Sequence, residues 1–200
     1  MKGVILNLVE EAVLAAHGEE AWDALLGRSG LEGAWTSLGS YPDDELPRLV
    51  DAGSELLGTP PEQLARELGR HAAHGLAQRH PHHFARCDGT LAFLRTLDDV
   101  VHSEVVKLHP DATPPRFDWS DVETTAADGQ AVMDVHCRSR RRLCWLAVGM
   151  IEGTGVVYGE ATEVRHEACQ LDGAPYCTLR VTTRPDTRPD TASPDPAIPA

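Results

Sequence analysis

The sequence predicts an α+β fold: an N-terminal helical subdomain followed by a four-stranded antiparallel sheet with one inserted helix. Up to about residue 110, apolar residues recur at helical spacing. After Pro114-Pro115 the period shortens to that of strands. The order there is strand, strand, helix, strand, strand, with an Asp-Gly pair at each expected turn, which suits hairpins rather than parallel crossovers.

The first helix carries Val4, Leu6, Leu8, Val9, Ala12, Val13 and Ala16 and ends at Gly18, and Ala21, Trp22, Leu25 and Leu26 form a short second one. A third runs from Asp43 to Leu57. Thr59-Pro60-Pro61-Glu62 is a start signal, with threonine at the cap, proline at the first helical position and glutamate three residues on. That helix continues to about Gln78. The HPHH segment around His80, His82 and His83 reads as a polar loop with adventitious metal affinity, and a further helix runs from Thr90 to Leu108. Strands are expected at Phe117–Val122 and Val132–Cys137, across Asp128-Gly129. The inserted helix spans Leu143–Tyr158, and the last two strands, Thr162–Leu171 and Tyr176–Thr183, meet across Asp172-Gly173. Residues 1–183 form the domain, and 184–200, holding five of the chain's 14 prolines, read as a disordered tail too poor in apolar mass to offset its ordering entropy.

Composition narrows the function only by exclusion. The 200 residues carry 31 acids against 18 bases, a net charge of −13, which argues against a nucleic-acid surface. The longest apolar run, Leu143–Ile151, is nine residues, too short to cross a bilayer. The apolar start is broken by Glu10 and Glu11, so no secretory leader is expected. Five cysteines, an odd number, read as intracellular thiols, and the expected location is cytoplasmic.

Chemistry concentrates in two places. Cys169 and Cys177 flank the expected turn at Asp172-Gly173, three residues before it and four after it, so their side chains are expected to meet across the ladder. His166 needs a bulge to join them, and Cys144 is available as a fourth ligand. Three thiolates and an imidazole suit tetrahedral zinc; a buried thiol pair or cross-strand disulfide, beside an unrelated histidine, fits the spacing too. His102 lies just off the apolar stripe of its helix, one turn after Asp98, a position suited to a boundary residue or a ligand. The basic run Arg138–Arg142 suits an anion at a helix start or a solvated turn. No Gly-rich phosphate loop, Ser-His-Asp arrangement or paired carboxylates stand out, and no enzymatic activity is expected.

Taken together, certain motifs resemble the heme–nitric oxide/oxygen binding (H-NOX) domain, also the sensor of soluble guanylate cyclase. They are Met1-Lys2-Gly3-Val4-Ile5, Glu19-Glu20-Ala21-Trp22, Tyr41-Pro42-Asp43-Asp44-Glu45-Leu46, the stretch from Phe93 to Phe117, Gly149–Gly153, and the HEAC…GAPYC segment ending at Cys177. The resemblance implies heme b held by His102 as proximal iron ligand, with Ile5 and Pro115 pressing the macrocycle out of plane. It also implies a two-state response in which nitric oxide loosens His102. Relatives that hold oxygen carry a distal tyrosine where this chain has Leu146, with Met150 also in the distal pocket, which implies selectivity for nitric oxide over oxygen, carbon monoxide also binding. The family's Y-x-S-x-R propionate grip maps onto Cys137, Ser139 and Arg141, cysteine replacing tyrosine; a second register would use His136 and Arg140. The guanidinium then carries more of the propionate binding. The zinc site of some bacterial relatives matches Cys144, His166, Cys169 and Cys177 in order. The expected partner is a separate signalling protein, such as a histidine kinase or a diguanylate cyclase/phosphodiesterase, with no nucleic acid and no membrane. The competing expectation is a zinc/thiol redox-responsive binding module with weak or absent heme.

Overall fold

The computed structural model describes residues 1–125, 129–141 and 143–186. The two helices expected at the N-terminus are two arms of one element, α1 (Gly3–Ser29), broken at Gly18, whose φ of 79° and ψ of −179° leave the helical region where glycine tolerates it. Helix α2 (Glu45–Leu57) starts two residues later than expected and closes on Gly58 at φ 64°. Helix α3 (Pro61–Arg79) corrects the cap: Pro60 occupies it and Pro61 is the first helical residue, so Thr59 makes no side-chain cap. The HPHH segment is not a loop, since Pro81 opens a single helical turn, α4 (Pro81–Phe84).

The helix expected from Thr90 to Leu108 is three pieces: α5 (Thr90–Leu94), a π-helical segment (Leu97–His102), and α6 (Ser103–Leu108). The widening begins at Thr96, whose carbonyl accepts from both Val100 (2.9 Å) and Val101 (3.3 Å), while its hydroxyl bonds back to the Phe93 carbonyl at 2.7 Å.

The sheet has five strands rather than four: β1 (Arg116–Trp119), β2 (Glu123–Thr125), β3 (Gln130–Arg138), β4 (Glu160–Ala168) and β5 (Cys177–Pro185). Their order is β1-β3-β5-β4, all antiparallel, with β2 also paired to β3. The expected first strand, Phe117–Val122, stops at Trp119, and the added β2 begins beyond its expected end; between them the Ser120 hydroxyl accepts the Asp134 N–H at 3.0 Å and donates to the Asp121 carbonyl at 2.9 Å. At the first turn Gly129 has φ 66°; Asp128 lies outside the described residues. The second turn is longer than an Asp-Gly hairpin: β4 ends at Ala168, Cys169 caps a 3-10 turn (Gln170–Asp172), and Gly173 closes it at φ 93°. Strand β5 continues through Arg184 and Pro185, two residues into the segment assigned to the tail; residues 187–200 lie outside the described residues.

Helix α7 (Cys144–Val157), between β3 and β4, belongs to two hydrophobic cores at once. Leu146 joins Leu6, Val9, Leu46 and Leu68 in the helical lobe. Cys144, Val148 and Ile151 join Leu91, Met133, Val135 and Val181 against the sheet. Its close approach to α3 needs glycine: a Cβ at Gly149 would overlap the Arg66 carbonyl, and one at Gly69 the Leu146 carbonyl.

Candidate functional site

His102 closes the π-helical segment with its side chain 18% exposed. Its Nδ1 lies 3.0 Å from Asp98 Oδ1, and the other Asp98 oxygen accepts the Phe117 backbone N–H at 2.9 Å. One carboxylate thus orients the imidazole and ties its helix to β1. The Phe117 ring stacks on His102 with centroids 5.8 Å apart. Burial pushes the His102 pKa below the ordinary histidine value, although Asp98 and the Pro115 carbonyl favour the charged ring, so the neutral imidazole prevails at pH 7. Neutral imidazole is the form that ligates iron.

The apolar residues of this part of the chain are incompletely covered. None of the residues Leu97–Leu108 is buried: Val101 and Val105 are half-buried, Val106 is exposed, and Leu108 is 77% exposed. Pro114 and Pro115 beside them are half-buried. On the helical lobe Ile5, Leu143 and Met150 are likewise half-buried, packed against a core that includes Leu146. A flat apolar macrocycle with one nitrogen ligand is the group that such residues fit.

The residues proposed to grip carboxylates are placed differently from one another. Cys137 is buried in β3, paired with Phe117 on one side and Cys177 on the other. Burial, with Cys177 and Asp98 adding, pushes its thiol up to about 12. The Ser139 hydroxyl accepts the Arg141 N–H at 3.2 Å, shaping the turn that presents the guanidinium. Arg141 Nε meets Asp43 at 2.6 Å, Nη1 the Thr113 carbonyl at 2.6 Å, and Nη2 the Thr113 hydroxyl at 3.0 Å. Asp43 also holds the Met1 ammonium at 2.8 Å. Arg142, the end of the basic run, is outside the described residues.

The four residues read as zinc ligands come together. One donor atom from each of Cys144, His166, Cys169 and Cys177 lies within 4.8 Å of all the others. Cys144 Sγ is 3.1 Å from Cys177 Sγ and 3.8 Å from Cys169 Sγ. Zn–S bonds of about 2.3 Å in a tetrahedron put sulfurs about 3.8 Å apart. The bulge that His166 needs is present, as a register shift between His166 and Ala168. Its Nε2 is buried with no hydrogen-bond partner, the mark of a missing neighbour. The Gln170 N–H points at Cys177 Sγ (3.3 Å) and the Leu171 N–H at Cys169 Sγ (3.4 Å), donors that favour thiolates. Trp145 lies edge-on to the His166 ring at 5.0 Å.

Two participants escaped the sequence reading of the site. Asp98 was visible as a residue one turn before His102, and its spacing could have assigned it the orienting role. Asp43, the anion on Arg141, is separated from it by 98 residues, and no local signal connects them.

A sequence model of the family described as Haem-NO-binding matches residues 2–166. Solved structures match nearly end to end. An H-NOX protein from S. oneidensis in the Fe(II)NO ligation state is 27% identical, with TM-score 0.78, over 92% of this chain and 99% of that one. A mutant of that protein in the Fe(II) state is 28% identical, with TM-score 0.80, over 94% of this chain and 98% of that one. The Shewanella oneidensis H-NOX domain in the Fe(II)CO state, solved by NMR, is 27% identical, with TM-score 0.75, over 90% of this chain and 97% of that one. No curated protein matches.

Proposed function

This chain belongs to the Haem-NO-binding family, and from that premise we propose that it is a heme-based sensor of nitric oxide, not itself an enzyme, that regulates a separate signalling protein in trans. The observation that carries the reading is a neutral imidazole, His102, fixed by Asp98 on a segment whose apolar residues are only partly covered by protein side chains.

Heme bound here would be held by His102 and would supply a ferrous iron able to take a diatomic gas. The residues around it divide the remaining work. Asp98 accepts the Nδ1 proton of His102, which fixes the tautomer in which the opposite nitrogen would serve as the iron ligand. Ile5 and Pro115, both half-buried, would be the residues that press on the macrocycle. Arg141, positioned by Ser139, would hold the propionates by exchanging them for Asp43 and Thr113, which its guanidinium meets in this structure, with Cys137 on the strand behind it. Leu146 and Met150, which would line the gas-binding side, carry no hydrogen-bond donor, so oxygen, which needs one for retention, would be disfavoured relative to nitric oxide and carbon monoxide.

The output proposed for this sensor is a separate partner such as a histidine kinase or a diguanylate cyclase/phosphodiesterase. No helix among the described residues is long and apolar enough to cross a membrane. Cys144, His166, Cys169 and Cys177 are proposed as a structural zinc site bracing the start of α7 against β4 and β5, supported by the orphaned His166 Nε2. The same cluster favours a second reading, a zinc/thiol redox module that retains little heme.

The absorption spectrum of reduced, heme-supplemented protein decides between them. A Soret band that shifts with nitric oxide and is unchanged by air supports the sensor, and His102→Gly should abolish the native band until imidazole restores it. Stoichiometric zinc with no Soret band would establish the redox module instead. A spectrum indifferent to His102→Gly would remove His102 as ligand.

A further inference from the structure

We propose that His82, His83 and Glu104 form a metal site, separate from the cysteine cluster, that takes a borderline divalent cation such as zinc and fastens α4 to α6. One donor atom from each of the three lies within 4.8 Å of the other two. Neighbouring residues on a helix point in different directions, so convergence of His82 and His83 is not a by-product of helical geometry. Their rings nevertheless lie 4.1 Å apart at 42°, and Glu104 reaches them from another element. His80, which caps α4, keeps its ring 6.2 Å from both.

The hydrogen bonding of this group is unfinished. His83 is 11% exposed, and its Nδ1 is buried with no partner. Its Nε2 stands 3.5 Å from Glu104 Oε2, beyond a good hydrogen bond. Two imidazoles and a carboxylate are the donor set of many zinc sites, with a remaining position for water. Zinc bonds of about 2.0–2.2 Å place such ligands about 3.4 Å apart, a contraction that side-chain rotation supplies.

The location gives the site a consequence. Helix α6 begins at Ser103, directly after His102, and Glu104 is on its first turn. Helix α4 is anchored on the other side, where Phe84 stacks on Phe93 at 4.3 Å and its carbonyl accepts the Tyr158 hydroxyl at 2.8 Å. A cation here braces the far end of the His102 segment against the C-terminus of α7. Its bearing on gas sensing rests on His102 being the heme ligand; the metal site itself does not.

Cobalt(II) titration of the full chain tests the proposal, because only thiolate-bound cobalt gives a sulfur-to-metal charge-transfer band. The wild type should bind one equivalent beyond any that carries that band. Glu104→Gln, at a side chain 44% exposed and so harmless to folding, should bind that equivalent at least tenfold more weakly while leaving any charge-transfer band intact. His83→Gln should do the same. Zinc should slow amide exchange across 103–108 at least threefold in the wild type and not in Glu104→Gln. Equal cobalt uptake by wild type and Glu104→Gln would overturn the site, whatever happens at the cysteines. Uptake without slowed exchange would overturn the brace.

Discussion

Glu152 is the one charged side chain that is buried among the described residues, 7% exposed. It survives because α3 delivers two guanidiniums to it, Arg66 Nε at 2.8 Å and Arg70 Nε at 2.9 Å, with Arg70 also reaching Glu67 at 2.5 Å. Removing one partner of a buried pair costs about 3–5 kcal/mol, because the other charge is stranded. Here the arginines are 34% and 30% exposed, so water reclaims part of that cost. Glu152→Gln, which keeps the shape and removes the charge, should therefore destabilise the protein by about 2 kcal/mol, seen as a lower urea midpoint at unchanged slope. An unchanged midpoint would mean that solvent alone satisfies Arg66 and Arg70. Nothing in the sequence around Gly149–Gly153 marks this residue as a buried anion; its partners lie 82 and 86 residues away.

At the scale of elements, periodicity located the helices but not their meetings. Both α3 and α7 were expected within a few residues, and their packing was not, because it is written in glycines that look like weak points of a helix. Gly69, Gly149 and Gly153 are contact positions: added Cβ atoms would strike the carbonyls of Leu146, Arg66 and Arg70 respectively. Gly149→Ala should push the helices apart and cost about 3 kcal/mol, the upper part of the range for overpacking. Gly27, in α1, is the control, since a Cβ there meets nothing within 4 Å. Gly27→Ala should stabilise by up to about 1 kcal/mol, the helix-propensity gain alone. Thermal midpoints of the two variants should therefore move in opposite directions; a shared direction would show that the glycines serve backbone freedom rather than close approach. The π-helical turn was equally hidden. Leu97–His102 has ordinary helical composition, and only the shared Thr96 carbonyl reveals the extra residue that it accommodates.

For the molecule as a whole, the α+β class, the antiparallel topology and the cysteine–histidine cluster were legible, since each depends on local period or short spacing. The joint between the lobes was not. Arg141 was readable as an anion binder, but its anion in this structure is Asp43, which also takes the Met1 ammonium, while Thr113 occupies the rest of the guanidinium. This joint is pH-sensitive in a defined direction. Although burial works to raise it, the Met1 ammonium and Arg141 hold the Asp43 carboxyl below its ordinary 3.8. A folded-state pKa below the unfolded value contributes stability that is present above about pH 4 and is lost as pH falls through the folded value. Asp43 is 49% exposed, so the contribution at pH 7 is at most about 1 kcal/mol after screening. Asp43→Asn should thus be less stable than the wild type at pH 7, by urea midpoint, and the two should converge as pH falls from about 4 to 3. Arg141→Gln should show the same convergence, since it removes the other half of the pair. A gap between Asp43→Asn and wild type that persists undiminished at pH 3 would place the contribution in packing at this position rather than in the carboxylate charge that links the helical lobe to the sheet.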